Sequence, residues 1–405
     1  MGRPSLDVRT RRLEDVGPLT PDQLVDELGP EMTARHGDLG ARAQDRLGLP
    51  PLVLTVGAET CTLDQGSVRA GSDPRGAALD VEPGALADLF AGVRSTYGLL
   101  FAGGGRLTAG SVAAVLGWDQ VLRALTDGRP LYEPGTLTFA SRSGAELNLE
   151  STFGPDDDDD DIAHFLSEAG FCRLSGWVDR SLLPRITDEV MAAARRADRA
   201  DPDRWWATLE DGTERCVRLM YLLESSAHMA ALVEGPAYAR LGELFADGHR
   251  VHTENPQASE ALIKPVGVAS GLTEFPWHRD CSMGGHAYHC AAYAVGLPLT
   301  PTGGDAGYLR VVAGSHRVST PAPGVVEGFV PALPVLPIET EPGDLTIHLG
   351  CTLHGTRPPR HAERVVTYTT FSLPARGPGA REAERRPALQ ESVLAATRRS
   401  QMSAS

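Results

Sequence analysis

The period of apolar and polar positions changes several times along the chain, and each change marks an element. Leu52-Val53-Leu54-Thr55-Val56 is apolar and β-branched, which predicts a strand. Thr60-Cys61-Thr62-Leu63 reads as its hairpin partner, and Ala78-Leu79-Asp80-Val81 as a further short strand. Pro83 to Phe90 switches to a helical period. Ser111 to Leu125 repeats it, with Val112, Val115, Leu116, Val121 and Leu122 on one side and Gly128 as a stop. Strands followed by helices predict a small α+β unit over residues 47–150. Ahead of it, residues 1–46 are rich in Arg, Asp, Glu, Gly and Pro; they read as an irregular arm with a short helix over Pro21–Leu28.

Gly154-Pro155 and six aspartates, Asp156 to Asp161, divide the chain. Like charges repel, so residues 151–161 read as a solvated linker. An EF-hand loop alternates its acidic residues with spacers and a glycine, a pattern this run lacks. Its last aspartate is placed to cap a helix over Ile162–Ala169 that Gly170 stops. Phe171–Leu174 then reads as a strand, Pro184–Ala200 as a helix, and Val217–Leu244 as largely helical. Strands dominate from 261 to 374: Ala261–Lys264, Trp277–Asp280, His289–Leu297, Tyr308–Val312, Val335–Thr340, Asp344–Leu349 and Arg364–Leu373. Gly- or Pro-rich turns separate them, which predicts an all-β sandwich inside a second unit spanning 162–375. The tail, 376–405, is charged and then polar.

Composition narrows the functional classes. A chain of 405 residues, 41% hydrophobic and 22% charged, forms cores and divides into two or three domains. Acidic residues outnumber basic ones, 53 to 38, giving a formal charge of -15. That balance argues against a general nucleic-acid binder and against adhesion to anionic lipid. The six cysteines form no CxxC pair, so neither structural zinc nor a disulfide framework is indicated. The first twenty residues lack an apolar signal region, Leu6 stands where myristoylation wants Ser or Thr, and no apolar run approaches membrane-spanning length. A cytoplasmic protein is the expectation.

Candidate chemistry concentrates at Pro276-Trp277-His278-Arg279-Asp280. On an extended strand residues i and i+2 share a face, so the His278 imidazole and the Asp280 carboxylate reach one ion. A distal histidine, His354, with Arg364 ten positions beyond it, supplies a third ligand and a nearby cation. Two histidines and one carboxylate with open positions is the donor set of non-haem Fe(II) oxygenases. His348 is a rival for the distal place, which the Arg364 spacing assigns to His354. His316, in Gly314-Ser315-His316, reads as a turn residue; Cys281 and Cys351 read as packing, since thiolate is too soft for this set.

Four ordered segments, FPWHRD, GDAGYLRVVAGSH, PGDLTIHLGCTLHGT and ERVVTYTTF, resemble the phytanoyl-CoA dioxygenase family over about 170–375. The resemblance implies a double-stranded β-helix (jelly-roll) core flanked by helices, an α+β protein overall. It also implies Fe(II), 2-oxoglutarate and O2, with iron on His278, Asp280 and His354. Arg364 and Thr356 would hold the distal carboxylate of 2-oxoglutarate, with Lys264 facing the same pocket. Trp277, Arg279, Met283, His286 and Tyr288 are the candidates to line a substrate pocket. The implied reaction is hydroxylation of a small organic molecule, as in secondary-metabolite tailoring. Related halogenases carry Gly or Ala in place of the carboxylate; Asp280 therefore favours hydroxylation, or desaturation or ring closure by the same oxidant. In the first unit, ALDVEPGALADLFAG and RLTAGSVAAVLGWDQVLRAL resemble the sterol-carrier-protein-like fold, which implies a scaffold that packs on the catalytic unit, a homodimer contact, or a lipid site. A lipid-binding protein with an inactive jelly roll, and a cupin-like metal enzyme of other chemistry, are the competing readings.

Overall fold

A computed structural model describes residues 19–92, 94–101, 103–201, 203–253, 255, 257–271, 275, 277–280, 292–324 and 332–373. Among the described residues the fold mixes helices with three sheets. The first sheet has strands β1 (Leu52–Val56), β2 (Glu59–Asp64), β3 (Ser67–Ala70), β4 (Ala77–Val81) and β5 (Gly105–Ala109), in the order β3-β2-β1-β4-β5. Parallel pairing of β1 with β4 sets Leu54 beside Leu79, and antiparallel pairing with β2 sets it beside Cys61. Leu52, Leu54, Leu63 and Leu79 are fully buried, and burying each contributes roughly 1.5–3 kcal/mol. The helix Val112–Asp127 joins this core with Trp118, Val121 and Leu122.

The helix expected over Pro21–Leu28 runs on to Leu47, through a π-helical turn at Leu24–Leu28, where an irregular arm was expected; residues 1–18 of that arm lie outside the described residues. Thr20 and Gln23 form a reciprocal capping box at its start. The glycines that look like breakers serve close approach. A Cβ at Gly40 would lie 2.4 Å from Leu125 Cδ2, where this helix meets Val112–Asp127.

The aspartate run is also more ordered than a linker. Asp158 is the N-cap, accepting from the backbone N–H groups of Asp160 and Asp161, and the helix runs from Asp159 to Ala169. Three aspartates in the first turn suit the positive end of the helix dipole. Arg142 pairs with Asp158, Asp160 and Asp161, and Arg240 with Asp159 at 2.7 Å.

The large sheet comprises β6 (Phe171–Leu174), β7 (Arg204–Leu209), β8 (Glu214–Leu219), β9 (Arg250–Val251), β10 (Ser259–Lys264), β11 (Val268–Ser270), β12 (Ala292–Pro298), β15 (Leu345–Leu349) and β17 (Arg364–Ser372). Its order is β11-β7-β8-β10-β17-β12-β15-β6, with β9 also on β17. The small sheet holds β13 (Leu309–Val312), β14 (Val335–Ile338) and β16 (His354–Thr356), in the order β14-β13-β16. Val217–Leu219, expected in a helix, lies in the hairpin β7–β8, turned at Gly212 with φ +84°. Three short helices come next in the chain, Leu222–Ser225, Ala227–Val233 and Pro236–Gly242.

Alternation divides the large sheet's two faces. Tyr293, Val295, Leu297, Ile347 and Val365 belong to the buried apolar cluster that includes Ile162, Phe165 and Ile186 of the covering helices. The opposite face carries a polar row. Lys264 faces Arg364 across β10–β17, Gly296 lies between Tyr368 and Thr346, and Ala294 pairs with His348. Gly296 is required there, since a Cβ would come 2.6 Å from Thr346 Oγ1 and 2.8 Å from Tyr368 Cε1. Tyr132 donates its N–H to Ser319 O and packs in a cluster with Val312, Leu333 and Leu353. Among the described residues no helix is long and apolar enough to cross a membrane.

Candidate metal centre

His278 and His354 exchange both backbone hydrogen bonds, N–H to O at 2.8 and 2.9 Å. Residues paired this way point their side chains to one face, and the imidazole centroids lie 4.2 Å apart. Asp280, two positions on, falls on the same side. Its Oδ1 is 3.6 Å from His278 Nε2 and 3.3 Å from His354 Nε2. One ligand atom from each of the three lies within 4.8 Å of the others. His354 Nδ1 sits 2.9 Å from the Thr352 carbonyl. A carbonyl only accepts, so Nδ1 carries the proton and Nε2 turns its lone pair to the cluster. Crowding by the surrounding protein opposes ionisation of the partly exposed Asp280 carboxyl, but the imidazoles of His354, His278 and His348 outweigh it and hold the group well below the usual carboxylate range.

The residues alternating with this pair face away from it. Trp277 lies over the Arg310 guanidinium, 4.6 Å from ring centroid to Cζ, and packs against the Tyr132 and Leu353 cluster. Arg279 donates to three carbonyls: Cys351 O at 3.0 Å, and Ser315 O and Thr320 O at 3.3 Å each. These contacts tie the HxD segment to the loop before His354. Ser315 Oγ accepts from Leu353 N–H at 2.8 Å, bracing the same loop. The structure thus engages Trp277 and Arg279 in packing and loop bracing, and the two-residue period already carries that signal. Met283, His286 and Tyr288 lie outside the described residues. His316 Nε2 meets Ser167 O at 2.8 Å, away from the cluster. His348, weighed against His354 from the sequence, stands beside it instead: its Nε2 is 3.5 Å from Asp280 Oδ2, and its ring 4.2 Å from that of His354.

A second group of donors gathers around Thr356, two residues along β16 from His354. Thr356 Oγ1 accepts from Lys264 Nζ at 2.7 Å and from Phe275 N–H at 3.0 Å. Both acceptor positions of the hydroxyl are then filled, which leaves its proton to be donated. Lys264 is directly opposite Arg364 in the sheet register. Arg364 is buried, 1% exposed, and its Nε and Nη2 have no hydrogen-bond partner. Burial draws its pKa below the usual guanidinium value, although Tyr368 opposes this; a guanidinium stays charged even so. It borders a small cavity lined also by Thr346, Thr340, Thr302 and Tyr368. A buried cation with idle donors beside a cavity fits an anionic guest, and its planar fork suits a carboxylate.

Residues 166–363 match the phytanoyl-CoA dioxygenase (PhyH) family. The chain carries a PhyH-family domain. Enzymes of the PhyH family depend on Fe(II) and 2-oxoglutarate, and the two imidazoles and one carboxylate here fit such an iron. No curated protein sequence matches the chain. Among solved structures it is similar to AviO1 from Streptomyces viridochromogenes Tue57, at 21% identity over 53% of this chain and 94% of that one, with a TM-score of 0.41. It is also similar to the non-heme alpha ketoglutarate dependent epimerase SnoN from nogalamycin biosynthesis (19%; 51% and 78%; 0.39). EctD from S. alaskensis, solved with 2-oxoglutarate and 5-hydroxyectoine, is similar at 17% identity over 60% and 86% of the two chains, with a TM-score of 0.43.

Proposed function

We propose that the chain is an Fe(II)- and 2-oxoglutarate-dependent oxygenase that hydroxylates a C–H bond of a small organic molecule inside a double-stranded β-helix. One observation carries the reading. A buried arginine with two idle N–H groups stands opposite Lys264, which bonds Thr356 on the strand that carries His354 of the two-histidine, one-carboxylate cluster. Bound together, iron, 2-oxoglutarate and dioxygen supply an oxidant able to break an unactivated C–H bond.

The protein's part is binding and positioning. His278 Nε2, Asp280 Oδ1 and His354 Nε2 converge from two segments, leaving the remaining positions open. Arg364 Nε and Nη2 offer a two-pronged grip on the distal carboxylate, with the Thr356 hydroxyl as a third donor and Lys264 adding charge. The amino-terminal unit serves as a scaffold: its Tyr132 packs with Leu353, the residue before His354.

Anaerobic calorimetry of full-length protein with Fe(II) tests the reading. It expects saturable binding of 2-oxoglutarate, and 2-oxoglutarate-dependent succinate release once a substrate is offered. No binding of 2-oxoglutarate with iron present would overturn it. The product then separates hydroxylation from desaturation or ring closure by the same oxidant.

A further inference from the structure

We infer that His348 is a positioning residue that donates from Nε2 to the outer carboxylate oxygen of Asp280 and so holds Asp280 to a single bond with the metal. The inference rests on the oxygenase reading above and adds a fourth side chain to its iron centre.

The two oxygens of Asp280 have different neighbours. Oδ1 faces the Nε2 atoms of His278 and His354, at 3.6 and 3.3 Å. Oδ2 faces His348 Nε2 at 3.5 Å. Among the described residues, the cluster whose ligand atoms all lie within 4.8 Å of one another contains His278, Asp280 and His354 and does not include His348. His348 therefore addresses the oxygen that the other two histidines leave alone. A carboxylate that turned both oxygens to the ion would occupy two coordination positions. A donor on Oδ2 opposes that turn and keeps one more position open for exchangeable ligands.

The tautomer is set by the surroundings. His348 is buried, and its Nδ1 has no hydrogen-bond partner. A neutral ring with its proton on Nε2 satisfies Asp280 and leaves idle only an acceptor. The other tautomer would bury an unpaired N–H and aim a lone pair at a carboxylate, a costly arrangement. The ring is also fixed in place. It stands on β15 in register with Ala294, whose methyl leaves it room, and it meets the edge of Tyr368 with centroids 6.0 Å apart.

The test uses full-length protein, with Co(II) as the probe. Calorimetry gives affinity, and X-ray absorption counts the bound imidazoles. His348→Phe keeps a flat buried ring and removes the donor, so Co(II) affinity should fall about 10- to 100-fold with two imidazoles still bound. His348→Gln restores an N–H donor and should recover most of the loss. Unchanged Co(II) affinity in folded His348→Phe would overturn the inference, and so would a wild-type shell of three imidazoles that falls to two in that variant. Should His348→Phe fail to fold, His348→Ala against His348→Gln makes the same comparison, and equal affinities there overturn it. Wild-type protein that takes up no Co(II) would sink the oxygenase reading itself, a different failure from that of His348 alone.

Discussion

Replacing Arg364 by methionine should move cosubstrate affinity and apoprotein stability in different directions. Methionine keeps much of the volume and removes the charge. Without cosubstrate, Nε and Nη2 of Arg364 are buried and unpaired, and each such group costs about 1–3 kcal/mol. The apo variant should therefore match the wild type or gain roughly 1–3 kcal/mol, read as a small rise in its melting midpoint. Binding should respond in the opposite sense. Two charge-assisted hydrogen bonds contribute about 1.5–3 kcal/mol each, while Lys264 and Thr356 remain to hold part of the carboxylate. A net loss of roughly 3–4 kcal/mol corresponds to about 10²- to 10³-fold weaker 2-oxoglutarate binding. Anaerobic calorimetry with Fe(II), and melts with and without 2-oxoglutarate, read both effects. At 100 times its dissociation constant the cosubstrate should stabilise wild type by about 2.7 kcal/mol and the variant hardly at all at the same concentration. An apo variant destabilised by several kcal/mol that still binds 2-oxoglutarate like wild type would refute the reasoning, because the guanidinium would then be a structural group.

Other substitutions probe the supports. Thr356→Val removes the hydroxyl that accepts from Lys264 and Phe275 and should weaken 2-oxoglutarate binding by about 1–2 kcal/mol, roughly tenfold, in the same calorimetry. Arg279→Met leaves the carbonyls of Cys351, Ser315 and Thr320 without their shared donor; urea unfolding should show a loss of about 2–4 kcal/mol, and Co(II) titration weaker metal uptake. Gly296→Ala sets a methyl against Thr346 and Tyr368 and should cost about 1–3 kcal/mol in thermal or denaturant unfolding.

The strands that carry the polar row were legible because each is short, apolar on one side and bounded by turns. Ala292–Pro298, Leu345–Leu349 and Arg364–Ser372 fall within a few residues of the expected spans. Two stretches were not. Gly29, Pro30, Gly37 and Gly40 look like breakers, yet Pro30 sits in a helical first turn and Gly40 is where that helix touches Leu125. Arg204–Leu219 hid a hairpin whose signal, Asp211-Gly212 between alternating residues, was present but outweighed by the helical pattern of residues 222–242. At the site, the period of two brought His278 and Asp280 together and could also have turned Trp277 and Arg279 away. Spacing alone treats His348 and His354 as rivals. Only the pairing of β15 in the large sheet and β16 in the small one shows that both reach Asp280.

Crystals grown without oxygen, with Fe(II) and 2-oxoglutarate, allow the most direct test: anomalous scattering at the iron edge. The account predicts a single iron peak bonded to His278 Nε2, one oxygen of Asp280 and His354 Nε2, with cosubstrate density running from it to the Arg364 guanidinium. Iron bound elsewhere, or cosubstrate whose distal carboxylate lies away from Arg364, would contradict it.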